Sequence, residues 1–163
     1  MKAKQEFTKE DPSYALWLLL IQTTKAIRMA RQEELDKIGI SVSDAGILYY
    51  AVKLGMEATP AKISRCLSKL PHGVSTIISK LERAGLVQKI NDLSRKNMVR
   101  VALTERGQET QQKAKQREAI HDIVTSLSRE ESEQLTELLQ KLRNAALERI
   151  KLRKKLEYLG YEE

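Results

Sequence analysis

Hydroxyl and cationic side chains share one face of a short predicted helix near the middle of the chain. Over about residues 73–84, apolar side chains recur at helical spacing and predict one buried stripe. The stripe consists of Val74, Ile77, Ile78 and Leu81. The opposite face carries Ser75, Thr76, Ser79, Lys80 and Arg83, with His72 and Gly73 at its start. Hydroxyls and cations so arranged can hydrogen-bond base edges and neutralise phosphates, which is the chemistry of nucleic-acid binding.

Positive charge is concentrated in the same part of the chain. The 163 residues include 29 Lys or Arg and 22 Asp or Glu, a net charge of +7. Residues 59–106 hold ten basic and three acidic residues, which is also +7, so the rest of the chain is neutral in sum. A basic middle between neutral ends is typical of a surface that meets phosphates, although a solvated basic face would have the same composition.

A second short helix is predicted just before this one. Thr59-Pro60 is a start signal, because Thr caps a helix and Pro at the first helical position loses no needed donor. Its apolar stripe consists of Ile63, Cys66, Leu67 and Leu70. Residues 70–73 then break the pattern. Two short amphipathic helices joined by a tight turn make a helix-turn-helix.

A β-hairpin is predicted directly after the helix-turn-helix. Gly85 ends the second helix, and the apolar period then changes from helical to two. Strands are therefore expected at 86–90 and 98–103, around a polar, basic loop at 91–97. Such a hairpin forms a wing beside the helices.

Long helices are predicted on both sides of this unit. The helix over 14–38 begins with an apolar run that must be covered on every side. Ser43 is expected to cap the next helix, Thr104 one that runs to about 126, and Ser128 the last one through a capping box. The last helix carries an apolar seam of Leu135, Leu138, Leu139, Leu142, Ala145, Ala146 and Ile150. A chain of this size cannot cover both surfaces itself, which favours a homodimer.

The predicted fold class is mainly α with a small β-hairpin wing (α+β), a winged helix-turn-helix with N- and C-terminal dimerisation helices. Residues 1–40 are expected to form an N-terminal arm and dimerisation helix. Residues 41–104 are the predicted winged helix-turn-helix DNA-binding domain, and residues 105–163 the C-terminal dimerisation helices.

The order of these elements and three sequence stretches resemble the multiple-antibiotic-resistance regulator (MarR) family over nearly the whole chain. The stretches are 63–67 (ISRCL), 74–87 (VSTIISKLERAGLV) and 99–107 (VRVALTERG). The resemblance implies a dimeric regulator of transcription, commonly a repressor, in which a small-molecule or redox signal is sensed between the dimerisation and DNA-binding parts. The chain departs from the family at Arg95-Lys96-Asn97, where members usually carry Asp-Arg-Arg, and at Thr76, where many carry arginine.

The expected partner is double-stranded DNA with a pseudo-palindromic operator. The helix over about 73–84 is predicted to lie in the major groove and the wing at 91–97 at the minor groove. Predicted base contacts are His72, Ser75, Thr76 and Ser79, and Gly73 belongs to the same predicted DNA-binding face. Predicted phosphate contacts are Lys62, Arg65, Lys69, Lys80 and Arg83, and the wing contacts are Arg95 and Lys96. A small-molecule effector is predicted to contact Tyr14, Trp17 and Met29, although aromatic and Met residues at helical spacing are more often plain core.

Other kinds of site find little support in the sequence. Cys66 lies on a buried stripe, which favours a core residue over a redox sensor. His72 and His121 lack metal-ligand spacing, so no metal is expected, and no cofactor either. Neither an activated nucleophile nor a phosphate-binding Gly loop is recognisable, which argues against an enzyme.

The sequence also indicates where the protein is located in the cell and leaves one competing function open. One cysteine and no long apolar run indicate a cytoplasmic protein without a membrane helix. The alternative function is a helical protein–protein interaction module without sequence-specific DNA binding, in which the last helix binds another protein and the basic middle is incidental.

Overall fold

The computed structural model describes residues 11–92 and 98–149, which form seven α-helices and one two-stranded antiparallel sheet. The helices are α1 Pro12–Asp36, α2 Val42–Leu54, α3 Pro60–Cys66, α4 Pro71–Arg83, α5 Glu105–Ala114, α6 Glu118–Val124 and α7 Arg129–Arg149. A 3-10 turn, Gly55–Glu57, follows α2, and the strands are β1 Val87–Asp92 and β2 Met98–Leu103. This architecture confirms the predicted fold class, a mainly helical chain with a β-hairpin after a helix-turn-helix.

Side-chain caps define where several helices begin. The Thr59 side chain caps α3, as predicted, by accepting a hydrogen bond from the Lys62 amide. Pro60 follows Thr59 at the first helical position. The predicted cap of α2 at Ser43 is wrong. Ser41 caps that helix instead, because its hydroxyl accepts from the Asp44 amide at 3.1 Å while the Asp44 carboxylate accepts from the Ser41 amide at 2.8 Å. A reciprocal capping box satisfies two amides that the first turn leaves without partners.

The turn between α3 and α4 is closed by a buried serine. The Ser64 hydroxyl donates to the Lys69 carbonyl oxygen at 2.7 Å, and the Lys69 amide donates to the Ser64 carbonyl oxygen at 3.1 Å. Between them Ser68 adopts a left-handed conformation with φ +50°. Helix α4 then starts at Pro71, two residues before the predicted start, because proline is well accommodated in a first helical turn.

The hairpin confirms the predicted wing strands within a few residues. β1 pairs with β2 from Val87 opposite Leu103 to Asp92 opposite Met98. The Val101 amide donates to the Ala58 carbonyl oxygen at 2.8 Å, so β2 is tied to the residue before the cap of α3. The predicted wing-tip residues Arg95 and Lys96 lie outside the described residues, as do residues 1–10 and 150–163 of the predicted terminal domains.

The single helix predicted from Thr104 to about 126 is wrong, since the structure has two helices here. Arg117 lies between α5 and α6 with φ +54°, a left-handed conformation. The new helix start is satisfied from a distant element, because the Glu34 carboxylate of α1 accepts from the Glu118 and Ala119 amides at 3.0 and 3.3 Å. A cap supplied by another helix leaves no local signal in the sequence.

The hydrophobic core lies beneath the helix-turn-helix. It is formed by side chains of α1 to α4 and the hairpin, chiefly Leu35, Ile47, Leu48, Ile63, Val74, Ile78, Leu81, Val87 and Val101. Three of the four predicted stripe residues of α4 are thus fully buried, and Ile77 is half-buried. The apolar stripe fixes α4 by one face and leaves the other face toward solvent.

Gly107 is required where α5 crosses the end of α4, so Gly107→Ala is expected to destabilise the fold. A Cβ at this position would lie 1.8 Å from the Leu86 carbonyl oxygen, a backbone atom that cannot rotate away. We expect a loss of about 2–3 kcal/mol in the free energy of unfolding, measured by urea denaturation. Gly73→Ala is the matched helical control, because no atom lies within 4 Å of its Cβ. That variant should gain about 0.5–1 kcal/mol, and equal effects of the two substitutions would contradict the packing.

Candidate nucleic-acid interface

The solvent-facing side of α4 carries the side chains predicted to read bases. His72, Gly73, Ser75 and Thr76 are exposed, and Ser79 is half-buried. These residues occupy the first two turns and the middle of the helix, opposite its apolar stripe. The face is therefore narrow and polar, and its small side chains leave room for another surface to approach closely.

Two side chains on this face bond back to their own helix. The Thr76 hydroxyl donates to the His72 carbonyl oxygen at 3.1 Å, and the Arg83 Nε donates to the Ser79 carbonyl oxygen at 3.3 Å. Both side chains remain exposed, and the guanidinium lies at the C-terminal end of α4, where the helix dipole favours a cation. The hydroxyl of Thr76 retains lone pairs that can accept a further hydrogen bond.

The cations of α3 and the turn lie in different environments. Arg65 is exposed and Lys69 is half-buried beside the turn. Lys62 forms an ion pair with Glu57, which precedes α3 in the 3-10 turn. The structure therefore places the predicted phosphate-binding cations on both helices of the helix-turn-helix and in the turn between them, and two of these cations, Lys62 and Lys80, are paired with a carboxylate.

Lys89 is a cation at this surface that the sequence-based list omitted. It lies on β1, where its Nζ is 2.7 Å from a carboxylate oxygen of Glu82 and 3.4 Å from the Ser79 hydroxyl. Hydrogen bonding from Lys89 also lowers the pKa of the Glu82 carboxyl. The position was counted in the basic segment, but the sequence gives no sign that β1 brings its side chain against α4.

Lys80 is engaged with a buried carboxylate of α2. Its Nζ lies 2.7 Å from Oδ2 of Asp44, whose side chain is only 2% exposed. Burial raises the pKa of Asp44, but hydrogen bonds from Lys80 and Ser41 outweigh burial, and the pKa of this carboxyl lies below its ordinary value. Asp44 is therefore ionised at neutral pH and holds a cation of the candidate interface.

A cavity of about 210 Å³ lies between α1, α2 and the α5–α6 junction. Its lining includes Arg31, Gly46, Tyr49, Lys115 and Arg117. The guanidinium carbon of Arg117 lies 5.3 Å from the centre of the Tyr49 ring, a cation–π contact. The cavity thus combines an aromatic ring with several cations.

Arg31 is the most deeply placed cation beside this cavity, at 8% exposure. It donates to the Ala114 carbonyl oxygen and lies 2.6 Å from the Glu34 carboxylate. Burial raises the pKa of Glu34, but hydrogen bonding and attraction from Arg31 lower it more, and the pKa lies below its ordinary value. This network joins α1 to α5 and α6 on one wall of the cavity.

The residues predicted to bind an effector do not line this cavity. Tyr14 and Trp17 contact each other, with ring centres 5.2 Å apart, and both are about half exposed on α1. Met29 is also exposed, twelve residues after Trp17, which is about 18 Å along a helix. Trp17 borders a shallow apolar groove with Leu20 and Ile21 on the surface of α1.

The outer helices expose large apolar surfaces. On α1 these side chains are Tyr14, Leu16, Trp17, Leu19 and Ile21, and on α7 they are Leu135, Leu138, Leu139 and Leu142, each between 42% and 59% exposed. A group of large exposed apolar side chains on one helix is typical of a protein–protein interface.

Within residues 11–92 and 98–149, no group of three or more His, Cys, Asp or Glu side chains could hold a metal ion. No helix in these ranges is both long and apolar enough to cross a membrane. Cys66 is buried, and burial raises the pKa of its thiol, so the reactive thiolate is disfavoured.

A helix-turn-helix followed by a two-stranded hairpin, with an exposed polar face on its second helix, defines a winged-helix protein. No family model matches the chain, and no curated protein matches its sequence. Solved structures do match. The organohalide-sensing transcriptional regulator RdhR, bound to 2,4-dichlorophenol, is 33% identical over 90% of this chain and 88% of its own, with a TM-score of 0.77. The ligand-free form of RdhR is 30% identical over 100% of this chain and 97% of its own, with a TM-score of 0.83.

More distant structures share the fold. A MarR-family regulator from a Rhodococcus species is 21% identical over 82% of this chain and 97% of its own, with a TM-score of 0.71. A mutant MarR of E. coli in complex with operator DNA is 20% identical over 84% of this chain and 97% of its own, with a TM-score of 0.70. The chain belongs to the MarR family of transcriptional regulators. The resemblance inferred from the sequence is confirmed.

Proposed function

We propose that this chain is a DNA-binding transcriptional repressor that acts as a homodimer and is released from its operator by a small molecule. The observation that carries the proposal is the polar, solvent-facing side of α4, fixed in place by its buried stripe and flanked by cations of α3 and β1. In helix-turn-helix proteins the second helix enters the major groove and its N-terminal residues contact base edges. Family membership and the operator complex of E. coli MarR support this assignment.

We assign roles to the predicted residues on this basis. Base contacts fall to His72, Ser75, Thr76 and Ser79, and Gly73 allows close approach of the backbone. Phosphate contacts fall to Lys62, Arg65, Lys69 and Arg83, while Lys80 receives a different role below. Arg95 and Lys96 of the wing at 91–97 are proposed to enter the minor groove. The DNA-binding domain then spans 41–104, between dimerisation segments at 1–40 and 105–163.

A second copy of this chain is the proposed cover for the apolar surfaces of α1 and α7. Both surfaces lie outside the core that the single chain forms, and each is formed by side chains about half exposed. A twofold dimer would present two α4 helices to successive major grooves on one side of a duplex. The operator is then a pseudo-palindrome with half-sites about 10 base pairs apart.

The proposed effector site is the cavity between α1, α2 and the α5–α6 junction. An aromatic ring beside one buried cation, Arg31, and two exposed ones, Lys115 and Arg117, suits a small aromatic anion or phenol. The RdhR structure with bound 2,4-dichlorophenol makes this chemical class a concrete probe. The surface groove at Trp17 is the competing location.

2,4-Dichlorophenol at saturating concentration is expected to raise the Tm of the protein by about 5 °C, since a ligand that binds only the folded state stabilises it. The variant Arg117→Gly should lose the shift. It removes the cation over Tyr49, while glycine adopts the left-handed backbone at this position without strain. Trp17→Ala should keep the shift. A shift lost only in Trp17→Ala would place the effector on α1, and no shift in the wild type would exclude this probe.

Selection of bound duplexes from a random pool tests the proposed DNA-binding function. We expect enriched sequences with two inverted half-sites about 10 base pairs apart, one for each α4 helix of the dimer. Enrichment of a single asymmetric half-site would count against the twofold assembly. A pool that yields no enriched sequence would favour the interaction module without sequence-specific DNA binding.

A further inference from the structure

Lys80 lies on the proposed DNA-binding helix with its side chain 59% exposed, but its ammonium group is bonded to a buried carboxylate of the protein. Its Nζ lies 2.7 Å from Oδ2 of Asp44, and the same oxygen accepts from the Ser41 amide at 2.8 Å. Asp44 is in the first turn of α2, and Lys80 is in the last turns of α4. The ion pair therefore joins α2 to α4 through two residues that are 36 positions apart in sequence.

Asp44 depends on this cation because it is removed from water. The residue is 1% exposed, and within the described residues its second oxygen, Oδ1, has no hydrogen-bond partner. A buried carboxylate without a cation carries a large desolvation penalty. If the ammonium moved out to a DNA phosphate, it would leave that charge uncompensated, so binding DNA through Lys80 would carry this penalty.

We propose that Lys80 is a positioning residue, which fixes the orientation of α4 on α2 through Asp44 and does not itself contact a DNA phosphate. This inference rests on the DNA-binding function proposed above. The apolar side chains that α2 and α4 contribute to the core, such as Ile47 and Ile78, hold the helices together, but hydrophobic packing is not directional. The ion pair adds a fixed point near the C-terminal end of α4, which sets the rotation that presents Ser75 and Thr76.

The salt dependence of DNA binding separates positioning from phosphate contact. Each phosphate contact contributes about 0.9 to the slope of log K against log salt concentration, or about 1.8 for the two subunits of a dimer. Arg83→Gln, an exposed cation one turn along the same helix, should reduce the slope by about 1.8. Lys80→Gln should weaken binding about tenfold and leave the slope unchanged. A slope reduced as much as in Arg83→Gln, or an unchanged affinity, would overturn the proposal.

Variants of both partners test whether the pair acts as a unit. Asp44→Asn can still accept the Ser41 amide, so the helix cap is retained while the charge is lost. It should weaken DNA binding about as much as Lys80→Gln, and the double variant should be no weaker than either single variant. Lys80→Arg should bind DNA about as tightly as the wild type, because a guanidinium can also pair with the carboxylate. Additive losses in the double variant would contradict a shared role.

A measurement without DNA keeps this inference separate from the proposed function. Amide hydrogen exchange in α4 should be faster in Lys80→Gln than in the wild type. The second variant, Lys80→Met, keeps an apolar side chain at this position and serves if Lys80→Gln folds poorly. It should show the same faster exchange. Exchange in α7 serves as the internal reference. Wild-type protein that fails to bind any duplex would refute the proposed function alone, whereas unchanged exchange in α4 of both variants would refute the positioning role.

Discussion

Leu138→Glu combined with Leu142→Glu is expected to convert the protein from a dimer to a monomer and to weaken operator binding by about 1,000-fold. Both side chains lie one turn apart on α7 and are 59% and 45% exposed, so the substitutions leave the core of the single chain intact. In the proposed dimer they would place four carboxylates in an apolar contact, where burying a charge is unfavourable. A monomer binds one half-site and loses the gain from linking two binding events, which is typically 10²–10⁴-fold.

Sedimentation equilibrium measures the first effect and fluorescence anisotropy with an operator duplex the second. The matched control is Gln140→Glu with Asn144→Asp, which adds the same charge to exposed positions of α7. These positions are two residues from the leucines and face the opposite side of the helix. A dimer that persists with glutamate at both leucine positions would place the interface elsewhere.

Thr76→Glu is expected to weaken DNA binding by at least about 100-fold without loss of stability. The side chain is exposed on the proposed base-reading face, and a carboxylate there would meet the negative field of the duplex in both subunits. Glutamate is also a better helix former than threonine, so α4 itself should not suffer.

Thr136→Glu is the control for this substitution. Thr136 is exposed on α7, and its hydroxyl donates to the Ser132 carbonyl oxygen at 2.8 Å, the same local bond that Thr76 makes to His72. Anisotropy titrations with one duplex compare the two variants at equal folded fraction. Equal affinities would show that the exposed face of α4 does not meet DNA.

Elements with strong local signals could be predicted closely from the sequence. Thr59-Pro60 fixed the start of α3, the alternation in 98–103 fixed β2, and Ser128 with Glu131 formed the expected capping box before α7. In each case neighbouring residues supply the signal, so no tertiary contact is needed to read it. The apolar stripe of α4 likewise predicted its buried face.

Elements that depend on distant contacts could not be predicted. The start of α6 is capped by the Glu34 carboxylate, which accepts a hydrogen bond from the Glu118 amide, 84 residues later in the sequence. The misplaced start of α2 is a different kind of error, because its signal is local: Ser41 and Ser43 are both suitable caps, but the acidic residue three positions after Ser41 marks a capping box at Ser41.

The candidate site shows the same division between local and tertiary information. Helical spacing identified the exposed face of α4, but nothing near Lys80 in sequence reveals that Asp44 is its ion-pair partner. The cavity beside Arg31 and Arg117 was missed because its lining comes from four helices. The effector residues Tyr14, Trp17 and Met29 were predicted from residue type alone, and all three are exposed on α1.

The most direct test of the central claim is the affinity of the wild-type dimer for random 30-base-pair duplexes across a salt series. The proposed interface has four phosphate-binding cations in each described helix-turn-helix, Lys62, Arg65, Lys69 and Arg83. Eight contacts in a dimer predict a slope of log K against log salt concentration of about −7 or steeper, since the wing cations Arg95 and Lys96 add to it, with tight binding in dilute buffer. Absence of binding in dilute buffer, or a slope near zero, would contradict the claim that this surface meets DNA.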